Sequence, residues 1–526
     1  MNKFDRDALW QQLKDNPTHW DMVIVGGGIT GVGVLLEAAR LGLRAILFEQ
    51  NDYAWGTSSR SSKMVHGGLR YIAQGDLKLT KKCVQERERL IAEAPGLVDR
   101  MGYLFPIRKG QIPGKVVFNS LLTIYDKLAG IKSHGYLSAK QLQQRVPGID
   151  KNRLKGASYY TDAVTDDARL VLRLLHEALK DGGYASNYVT VDDLLYNENG
   201  QVNGVRVSRD SNESVDIQAT VVVNATGAWV DQLREKVAHE QTIRPLRGSH
   251  IIVPKYLAPV EDALTLFHPD DKRAVFIFPW ENTTVIGTTD LDHSANLNLE
   301  PSITSQEVDY LIKLAQQQFP ENNIQKSNII SSYAGVRPVI SKDKTKAPSK
   351  EKRDHKVWQE KGLISVSGGK LTTFRVIAQD VIKRALPQFP HIQPVNSKYV
   401  FAPSHITHSD LGIEQTMAKR LLGYYGEHAI ELVQQSQPDH LAPISPSRCC
   451  LAEIRWCAQN ESVVHLDDLL LRRTRIGLLL KNGAEALMGP IETLCKTELG
   501  WSEETWQSEK QRYFSLWKQH YSVPNG

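Results

Sequence analysis

Residues 20–49 read WDMVIVGGGITGVGVLLEAARLGLRAILFE. An apolar run is followed by Gly26, Gly28 and Gly31 in a GxGxxG turn, and apolar residues then recur at helical spacing. A second apolar run ends at Glu49, about 20 residues after the turn, where a carboxylate can accept hydrogen bonds from a ribose. Strand, tight turn and helix in this order predict a Rossmann-like dinucleotide site, because the glycines let the backbone approach a pyrophosphate at a helix N-terminus. The pattern does not separate FAD from NAD.

A hydroxyl-rich stretch at 56–71 reads GTSSRSSKMVHGGLRY. Further motifs follow it in order: VVVNATGAW (221–229), RPLRGSHIIVP (244–254), FPWENTTVIGTTD (278–290), YAGVRPV (333–339) and SVSGGKLTTFR (365–375). In these motifs the chain resembles the FAD-dependent glycerol-3-phosphate dehydrogenase family, whose pattern TSSxSSKxxHGGLRYL it matches except for Ile72 in place of the usual leucine. The resemblance covers most of residues 20–380 and continues more weakly through LLLRRTRIGLLL at 469–480.

The motif order and the strand-like runs predict an α/β plus α fold with three parts. A Rossmann-like FAD-binding domain comprises residues 20–100, 150–243 and 355–395. An antiparallel-sheet substrate (cap) domain comprises 101–149 and 244–354, because runs rich in branched and aromatic residues lie at 248–253, 274–278 and 284–287. Helical spacing from residue 401 onward predicts a C-terminal helical domain over 396–526.

The family implies FAD as the cofactor, and no attachment motif is recognisable, so we expect non-covalent binding. The residues that the motifs place at the cofactor are Gly26, Gly28, Ile29, Thr30, Gly31, Glu49, Thr57, Ser58, Ser59, Ser61, Ser62, His66, Gly67, Gly68, Leu69, Val189, Ala225, Gly227, Trp229, Gly369, Lys370, Leu371 and Thr372. The Gly369–Thr372 turn opens a helix, whose positive end would stabilise an anionic reduced flavin.

Cationic residues within the motifs predict an anionic substrate. A phosphomonoester carries about two negative charges, and arginine offers planar paired donors that suit it. The candidate substrate-binding residues are Arg70, Tyr71, Arg353 and Thr289. The candidate catalytic residues are His250, Arg337 and Lys370. His250 is the predicted general base, since an imidazole titrates near neutrality, and its match to the family's active-site histidine supports this role. Arg337 and Lys370 are candidates to stabilise the alkoxide or to share the proton handling, and the sequence leaves this division open.

Composition limits the other classes of function. The chain has 526 residues and a net charge of +5, without a concentrated basic block, so we do not expect nucleic-acid binding. The mild positive charge is compatible with an anionic lipid surface. Five cysteines without a CxxC pair predict neither a disulfide framework nor a metal site, and they fit a reducing compartment.

Cellular location is predicted from the N-terminal residues and from the family. Residues 1–20 are polar and charged and show no cleavable signal, which predicts a cytoplasmic chain. Electron transfer to a membrane quinone, implied by the family, predicts peripheral attachment to the inner face of the cytoplasmic membrane. Residues 4–20, with Leu9, Trp10, Leu13 and Trp20, form either an interfacial anchor or a segment packed on its own domain. The sequence leaves the choice between a monomer and a homodimer open.

The predicted reaction is oxidation of sn-glycerol 3-phosphate to dihydroxyacetone phosphate, with electrons passed through FAD to quinone. Three alternatives stay open at this point. An oxidase would return electrons to oxygen and release hydrogen peroxide. A different flavin oxidoreductase would act on an amino or hydroxy acid. A flavin-binding sensor or assembly protein would hold FAD without turnover.

Overall fold

Two β-sheets and a set of helices form the computed structural model, which describes residues 5–16, 18–69, 72, 75–209, 213–238, 240–341, 351, 354–393 and 399–524. Strands and helices are numbered separately in chain order. The helices are α1 (Arg6–Asp15), α2 (Ile29–Arg40), α3 (Leu77–Glu93), α4 (Lys115–Ala129), α5 (Ala139–Arg145), α6 (Asp167–Lys180), α7 (Val230–Arg234), α8 (Ser305–Gln318), α9 (Phe374–Ala385), α10 (Gln415–Tyr425), α11 (His428–Gln434), α12 (Leu451–Asn460), α13 (Ile476–Leu479), α14 (Met488–Glu498) and α15 (Glu503–His520).

The first sheet carries the nucleotide-binding turn. Its strands are β1 (Trp20–Val25), β2 (Ala45–Glu49), β7 (Tyr184–Asn187), β8 (Thr190–Tyr196), β9 (Val202–Arg209), β10 (Glu213–Asn224), β17 (His355–Glu360) and β18 (Leu363–Gly368). The order β17-β18-β10-β1-β2-β7 is parallel from β18 to β7, with β17 antiparallel at one edge and a β8–β9 hairpin extending β10. Helices α2 and α9 pack closely at Gly33: a Cβ added there would lie 3.1 Å from the Phe374 ring.

The second sheet is largely antiparallel. Its strands are β3 (Met64–Val65), β4 (Val98–Arg108), β5 (Gly135–Ser138), β6 (Leu154–Thr165), β11 (Ile243–Pro254), β12 (Ala263–Phe267), β13 (Ala274–Trp280), β14 (Thr283–Gly287), β15 (Leu291–Asp292) and β16 (Ser331–Ile340). The order is β15-β11-β14-β13-β12-β4-β6-β3, with β16 paired to β11 and β5 to β6. β11 lies between β14 and β16, so His250 faces Gly287 on one side and Tyr333 on the other.

The predicted fold class is confirmed: a Rossmann-like sheet, an antiparallel sheet and a C-terminal helical region are all present. The observed pairing differs from the predicted domain boundaries at more than one place, since β3 and the first residues of β4, predicted within residues 20–100, belong to the second sheet. Residues 150–165 were grouped with the FAD-binding pieces, whereas β6 hydrogen-bonds along β4 and β5 in the second sheet. The apolar alternation of a strand says which face is buried, but it does not say which distant strand is the partner.

Burial decides whether the N-terminal segment is an interfacial anchor or a helix packed on its own domain. Leu9, Trp10 and Leu13 of α1 are buried in an apolar cluster with β1, β2 and the β8–β10 strands, and the Trp10 ring nitrogen donates to Glu213 at 2.8 Å. The apolar face of α1 therefore packs on its own domain and is not available as an interfacial anchor. Within the described ranges, no helix combines the length and apolarity needed to cross a membrane.

Candidate active site

Residues of both sheets line one cavity of about 1030 Å³, at the upper end of typical ligand pockets. Its walls come from the GxGxxG turn, the end of β2, the serine-rich loop, the Ala225 turn, strands β11 and β16, and the Gly369 turn. The most distant of these segments are more than 300 residues apart in the sequence. Their convergence at the carboxyl ends of β1, β2 and β10 is the position expected for a ligand of an open α/β sheet.

The N-terminus of α2 opens onto this cavity. The N-cap residue Gly28 has no side chain to cap the helix, and the Ile29 amide donates to Ser58 Oγ at 3.0 Å. Gly31 has a packing role, since its Cβ would lie 1.9 Å from the Gly26 carbonyl oxygen. Amide donors and the positive end of the helix dipole suit an anionic pyrophosphate.

Glu49 ends β2 beside this turn. Its carboxylate accepts from the Gly27 amide at 2.6 Å and from the Asn51 amide at 2.9 Å. Burial raises the pKa of Glu49 to about 6, against the lowering effect of these amides. The carboxylate lines the cavity at the position where the sequence pattern predicts a ribose.

The serine-rich loop is held by a buried carboxylate. Asp167 accepts from the Ser61 amide at 2.8 Å and from Lys63 Nζ at 2.8 Å, and it also pairs with Arg475 of the C-terminal region. Burial opposes ionisation of Asp167, but Lys63 and Arg475 bring its pKa below the usual range. Burial lowers the pKa of Lys63 to about 8. The loop that faces the cavity is thus fixed by a fully buried charge cluster.

His250, in β11 of the second sheet, lines the cavity. Its Nε2 atom lies 2.9 Å from Ser62 Oγ, its ring stacks on Tyr333 with centroids 4.6 Å apart, and its Nδ1 atom is buried without a hydrogen-bond partner in the described structure. Burial holds the pKa of His250 well below its usual value, and the Arg337 and Lys63 cations lower it further. The imidazole is therefore neutral near pH 7 and able to accept a proton.

Arg337 reaches the cavity from β16. Its Nη1 donates to Asp290 at 2.9 Å, and its Nη2 donates to the Thr288 hydroxyl at 2.9 Å. The side chain remains 20% exposed, and Arg337, Asp290 and Thr288 all line the cavity. This guanidinium is oriented by protein groups while one part of it faces the cavity.

Lys370 lies in the turn between β18 and α9. Gly368 and Gly369 precede it with φ of +80° and +77°, a conformation that favours glycine. Lys370 Nζ lies 3.7 Å from Cys83 Sγ, and Thr372 Oγ1 accepts from the His66 amide at 3.1 Å. The second contact ties this turn to the HGG segment of the serine-rich motif.

The structure brings most of the sequence-predicted residues to the cavity wall. Those that line it are Gly26, Gly28, Ile29, Thr30, Glu49, Thr57, Ser58, Ser61, Ser62, His66, Gly68, Leu69, Val189, Ala225, Gly227, Trp229, His250, Arg337, Gly369, Lys370, Leu371 and Thr372. Arg70, Tyr71 and Arg353 lie outside the described residues. Among those described, no group of histidine, cysteine, aspartate and glutamate side chains could hold a metal ion.

Four predicted contact residues do not line the cavity. Thr289 is a correction: its hydroxyl donates to Glu307 at 2.6 Å and accepts from the Ser249 amide at 2.9 Å, so the side chain is used inside the protein. Ser59 Oγ turns toward the Gly56 carbonyl. Gly67 and Gly31 serve close packing, since a Cβ at Gly67 would lie 2.2 Å from Val84. Thr288 and Asp290, the neighbours of Thr289 in the same connection between β14 and β15, do line the cavity.

Several participating residues were not identified from the sequence. Tyr333 stacks on His250, Asp290 orients Arg337, and Asp167 anchors the serine-rich loop. The signal for Asp290 and Tyr333 was their place within two of the quoted motifs. Asp167 and Arg475 lie outside the main motifs and act through contacts across more than 300 residues, which no local pattern reports.

Comparison with known proteins agrees with the architecture and the site. Residues 21–383 match the model of the family described as FAD dependent oxidoreductase, and residues 367–506 match the C-terminal domain of alpha-glycerophosphate oxidase. The chain thus has the class that its fold and cavity define, an FAD-dependent oxidoreductase. It binds FAD, and the α2 amides and Glu49 carboxylate fit the pyrophosphate and ribose of that cofactor.

Relatives define the family more narrowly. The chain is 32% identical over 510 residues to aerobic glycerol-3-phosphate dehydrogenase of Staphylococcus haemolyticus, covering 90% of this chain and 89% of the relative. The corresponding protein of Staphylococcus aureus (strain USA300) is 33% identical over 502 residues, with the same coverage. A solved glycerol-3-phosphate dehydrogenase from Bacillus halodurans, complexed with FAD, superimposes with a TM-score of 0.78 at 26% identity and covers 99% of this chain and 98% of its own. The protein belongs to the FAD-dependent glycerol-3-phosphate dehydrogenase family.

Proposed function

We propose that this enzyme oxidises sn-glycerol 3-phosphate to dihydroxyacetone phosphate and delivers the electrons to a membrane quinone. The names of the relatives support the substrate. The observation that carries the proposal is the placement of a neutral, buried His250 in the same cavity as Arg337 and Lys370. A proton acceptor beside two cationic side chains suits an alcohol that carries a phosphate.

Bound FAD supplies the acceptor for the hydride that leaves the carbinol carbon. The protein's own groups perform the remaining tasks. His250 accepts the hydroxyl proton, and Ser62 orients the ring through its contact with Nε2. Arg337, fixed by Asp290 and Thr288, presents its guanidinium to the substrate, and Lys370 adds a second positive charge.

Anaerobic flavin reduction tests the substrate. Purified protein mixed with sn-glycerol 3-phosphate should lose its visible flavin absorbance rapidly, whereas glycerol at the same concentration should leave the flavin oxidised. The glycerol control isolates the requirement for the phosphate. A protein that holds FAD and is not bleached by the phosphoester contradicts the substrate assignment. Bleaching by an amino acid or hydroxy acid instead would establish the other oxidoreductase class.

Oxygen is the second candidate acceptor, because residues 367–506 match a domain named after alpha-glycerophosphate oxidase. The two reactions differ in how the reduced enzyme is reoxidised. A quinone-dependent enzyme should turn over slowly in aerated buffer and accelerate on addition of a quinone analogue. Oxygen uptake matched by hydrogen peroxide, and unchanged by the quinone analogue, would establish the oxidase.

A membrane acceptor requires that the enzyme meet the membrane. We therefore propose peripheral attachment to the inner face of the cytoplasmic membrane, with anionic lipid as a favourable surface for a chain of net charge +5. The homodimer stays a prediction that light scattering of the purified protein would test.

A further inference from the structure

Helix α4 exposes an apolar face. Its inner face is anchored, with Phe118 stacked on Phe105 at 4.1 Å between ring centroids and Leu122 and Tyr125 buried. The opposite side carries Val116, which is 78% exposed, Val117, which is 58% exposed, and Ile124, which is 42% exposed. Ile112, in the preceding turn, is 89% exposed. Clustered large apolar side chains at such exposure are typical of an interaction surface.

The exposed charged residues of the segment that carries this face have one sign. Residues 108–132 contain Arg108, Lys109, Lys115, Lys127 and Lys132, and their acidic residue is Asp126. Asp126 is buried, where it accepts from the Ser133 and His134 amides. The four lysines are exposed. A helix with exposed valines and isoleucine bordered by lysines has the composition of an interfacial segment that meets anionic headgroups.

The face adjoins the cavity of the candidate active site. Pro113, Phe118 and Leu121, from the same turn and helix, line the cavity wall together with Phe267 of β12. Phe267 meets Phe105 edge to face, with centroids 5.6 Å apart, and is itself 37% exposed. An apolar surface therefore runs from the outside of α4 to the cavity.

We infer that Ile112, Val116, Val117 and Ile124 form the surface by which this protein docks on an anionic lipid bilayer, with Lys109, Lys115, Lys127 and Lys132 contacting the headgroups. We call these residues the α4 face. The inference deepens the proposed function, on whose membrane acceptor it rests. It replaces the N-terminal helix as the attachment site, because the apolar residues of α1 are buried. Docking here would place the aromatic wall of the cavity beside the lipid.

Vesicle binding by the holoenzyme tests the α4 face. The wild-type protein should co-sediment with phosphatidylcholine vesicles that contain phosphatidylglycerol, bind pure phosphatidylcholine vesicles less well, and lose affinity as salt is added. The double variant Val116→Glu/Val117→Glu should weaken the partition coefficient by roughly 100-fold, because two apolar contacts are lost and two like charges face the lipid. Tyr256→Glu is the matched control, since Tyr256 is 73% exposed elsewhere in the protein and should leave binding unchanged.

Flavin bleaching by sn-glycerol 3-phosphate in vesicle-free buffer verifies that the variant is folded, because neither valine lines the cavity. Unchanged vesicle affinity in the double variant would overturn the inference, as would absence of wild-type binding. Conversion of a dimer to a monomer by the double variant, with vesicle affinity retained, would assign the α4 face to a second copy of the chain. Vesicle binding that the wild type shows and the double variant loses, when both proteins retain FAD and neither is bleached by the phosphoester, would uphold docking while contradicting the proposed substrate.

Discussion

Two ion-paired arginines have different surroundings. Arg337 lies in the cavity. Arg473 lies in what we call the seam, where the arginines of residues 469–480 meet Asp52, Asp166 and Asp167. The side chain of Arg337 pairs with Asp290, is 20% exposed, and belongs to the cavity wall. The side chain of Arg473 is fully buried and donates to Asp52 Oδ2 at 2.5 Å, to Asp52 Oδ1 at 2.7 Å and to the Glu461 carbonyl at 2.8 Å. One guanidinium is oriented toward an open space, and the other is enclosed by protein acceptors. The surroundings of an arginine thus indicate whether it serves a ligand or the architecture.

The seam is a dense charge cluster. Arg472 also donates to Asp52, while Arg475 pairs with Asp166 and Asp167. Burial opposes ionisation of Asp52, but Arg473 and Arg472 hold its pKa below the usual range. The three arginines of residues 469–480 therefore pair with buried carboxylates that follow β2 and β6. Through Asp167, which accepts from the Ser61 amide, Arg475 also supports the serine-rich loop.

The largest expected effect is on stability and concerns Arg473, the enclosed arginine. Arg473→Ala should lower the free energy of unfolding by about 3–5 kcal/mol, because a buried carboxylate loses one of its partners. Denaturant unfolding measures the change. Arg206→Ala is the control, since the Arg206 and Asp216 side chains are 49% and 46% exposed and a solvent-exposed pair contributes little to stability. A loss for Arg473→Ala no larger than that of the control would show that the seam is not a stabilising contact.

Glu49 gives a pH-dependent effect on cofactor binding. Its pKa of about 6 means that the carboxylate of the apoprotein takes up a proton as the pH falls through that value. The protonated group accepts hydrogen bonds from the ribose poorly, so FAD affinity should fall about tenfold per pH unit below about 6. Apoprotein titrated with FAD at several pH values measures it. Glu49→Gln should bind more weakly and without this slope, and an identical slope in the variant would exclude Glu49 as its source.

The smallest expected effect is on the rate of flavin reduction and compares Ser62 with Ser59 of the same loop. Ser62→Ala removes the partner of His250 Nε2 and should slow anaerobic flavin reduction about fivefold, the effect of about 1 kcal/mol from one hydrogen bond. Ser59→Ala should leave the rate unchanged, because Ser59 Oγ faces the Gly56 carbonyl. Stopped-flow absorbance measures both rates. Equal slowing in both variants would mean that the substitutions act through the loop as a whole.

Local chemistry made much of the cavity predictable. Gly26 and Gly28 of the GxGxxG turn and Gly369 of the later turn indicate backbone that approaches a phosphate or flavin, Glu49 indicates a carboxylate for a ribose, and these four residues line the cavity. Their convergence follows from parallel strands whose carboxyl ends share one edge. These signals depend on neighbours in sequence, which is why they could be recognised.

Contacts between distant segments were not predictable in this way. Both α1 and α4 have apolar faces, but only the packing of the whole chain decides that Trp10 is buried and Val116 is exposed. Thr289 sits within a motif that contributes to the cavity wall, yet its hydroxyl donates to Glu307 inside the protein. β6 joins the second sheet by pairing with β4, and because the two strands are about 50 residues apart, no local pattern indicates this pairing.

Arg337→Ala tests most directly the claim that the cavity arginine serves the substrate. Anaerobic stopped-flow should show that sn-glycerol 3-phosphate reduces the flavin of the variant roughly 10²–10³-fold more slowly than that of the wild type, because an oriented charged donor is lost. The FAD content after gel filtration should stay at the wild-type level. Parallel losses of flavin reduction and bound FAD would contradict the account, since Arg337 would then hold the structure of the site rather than its substrate.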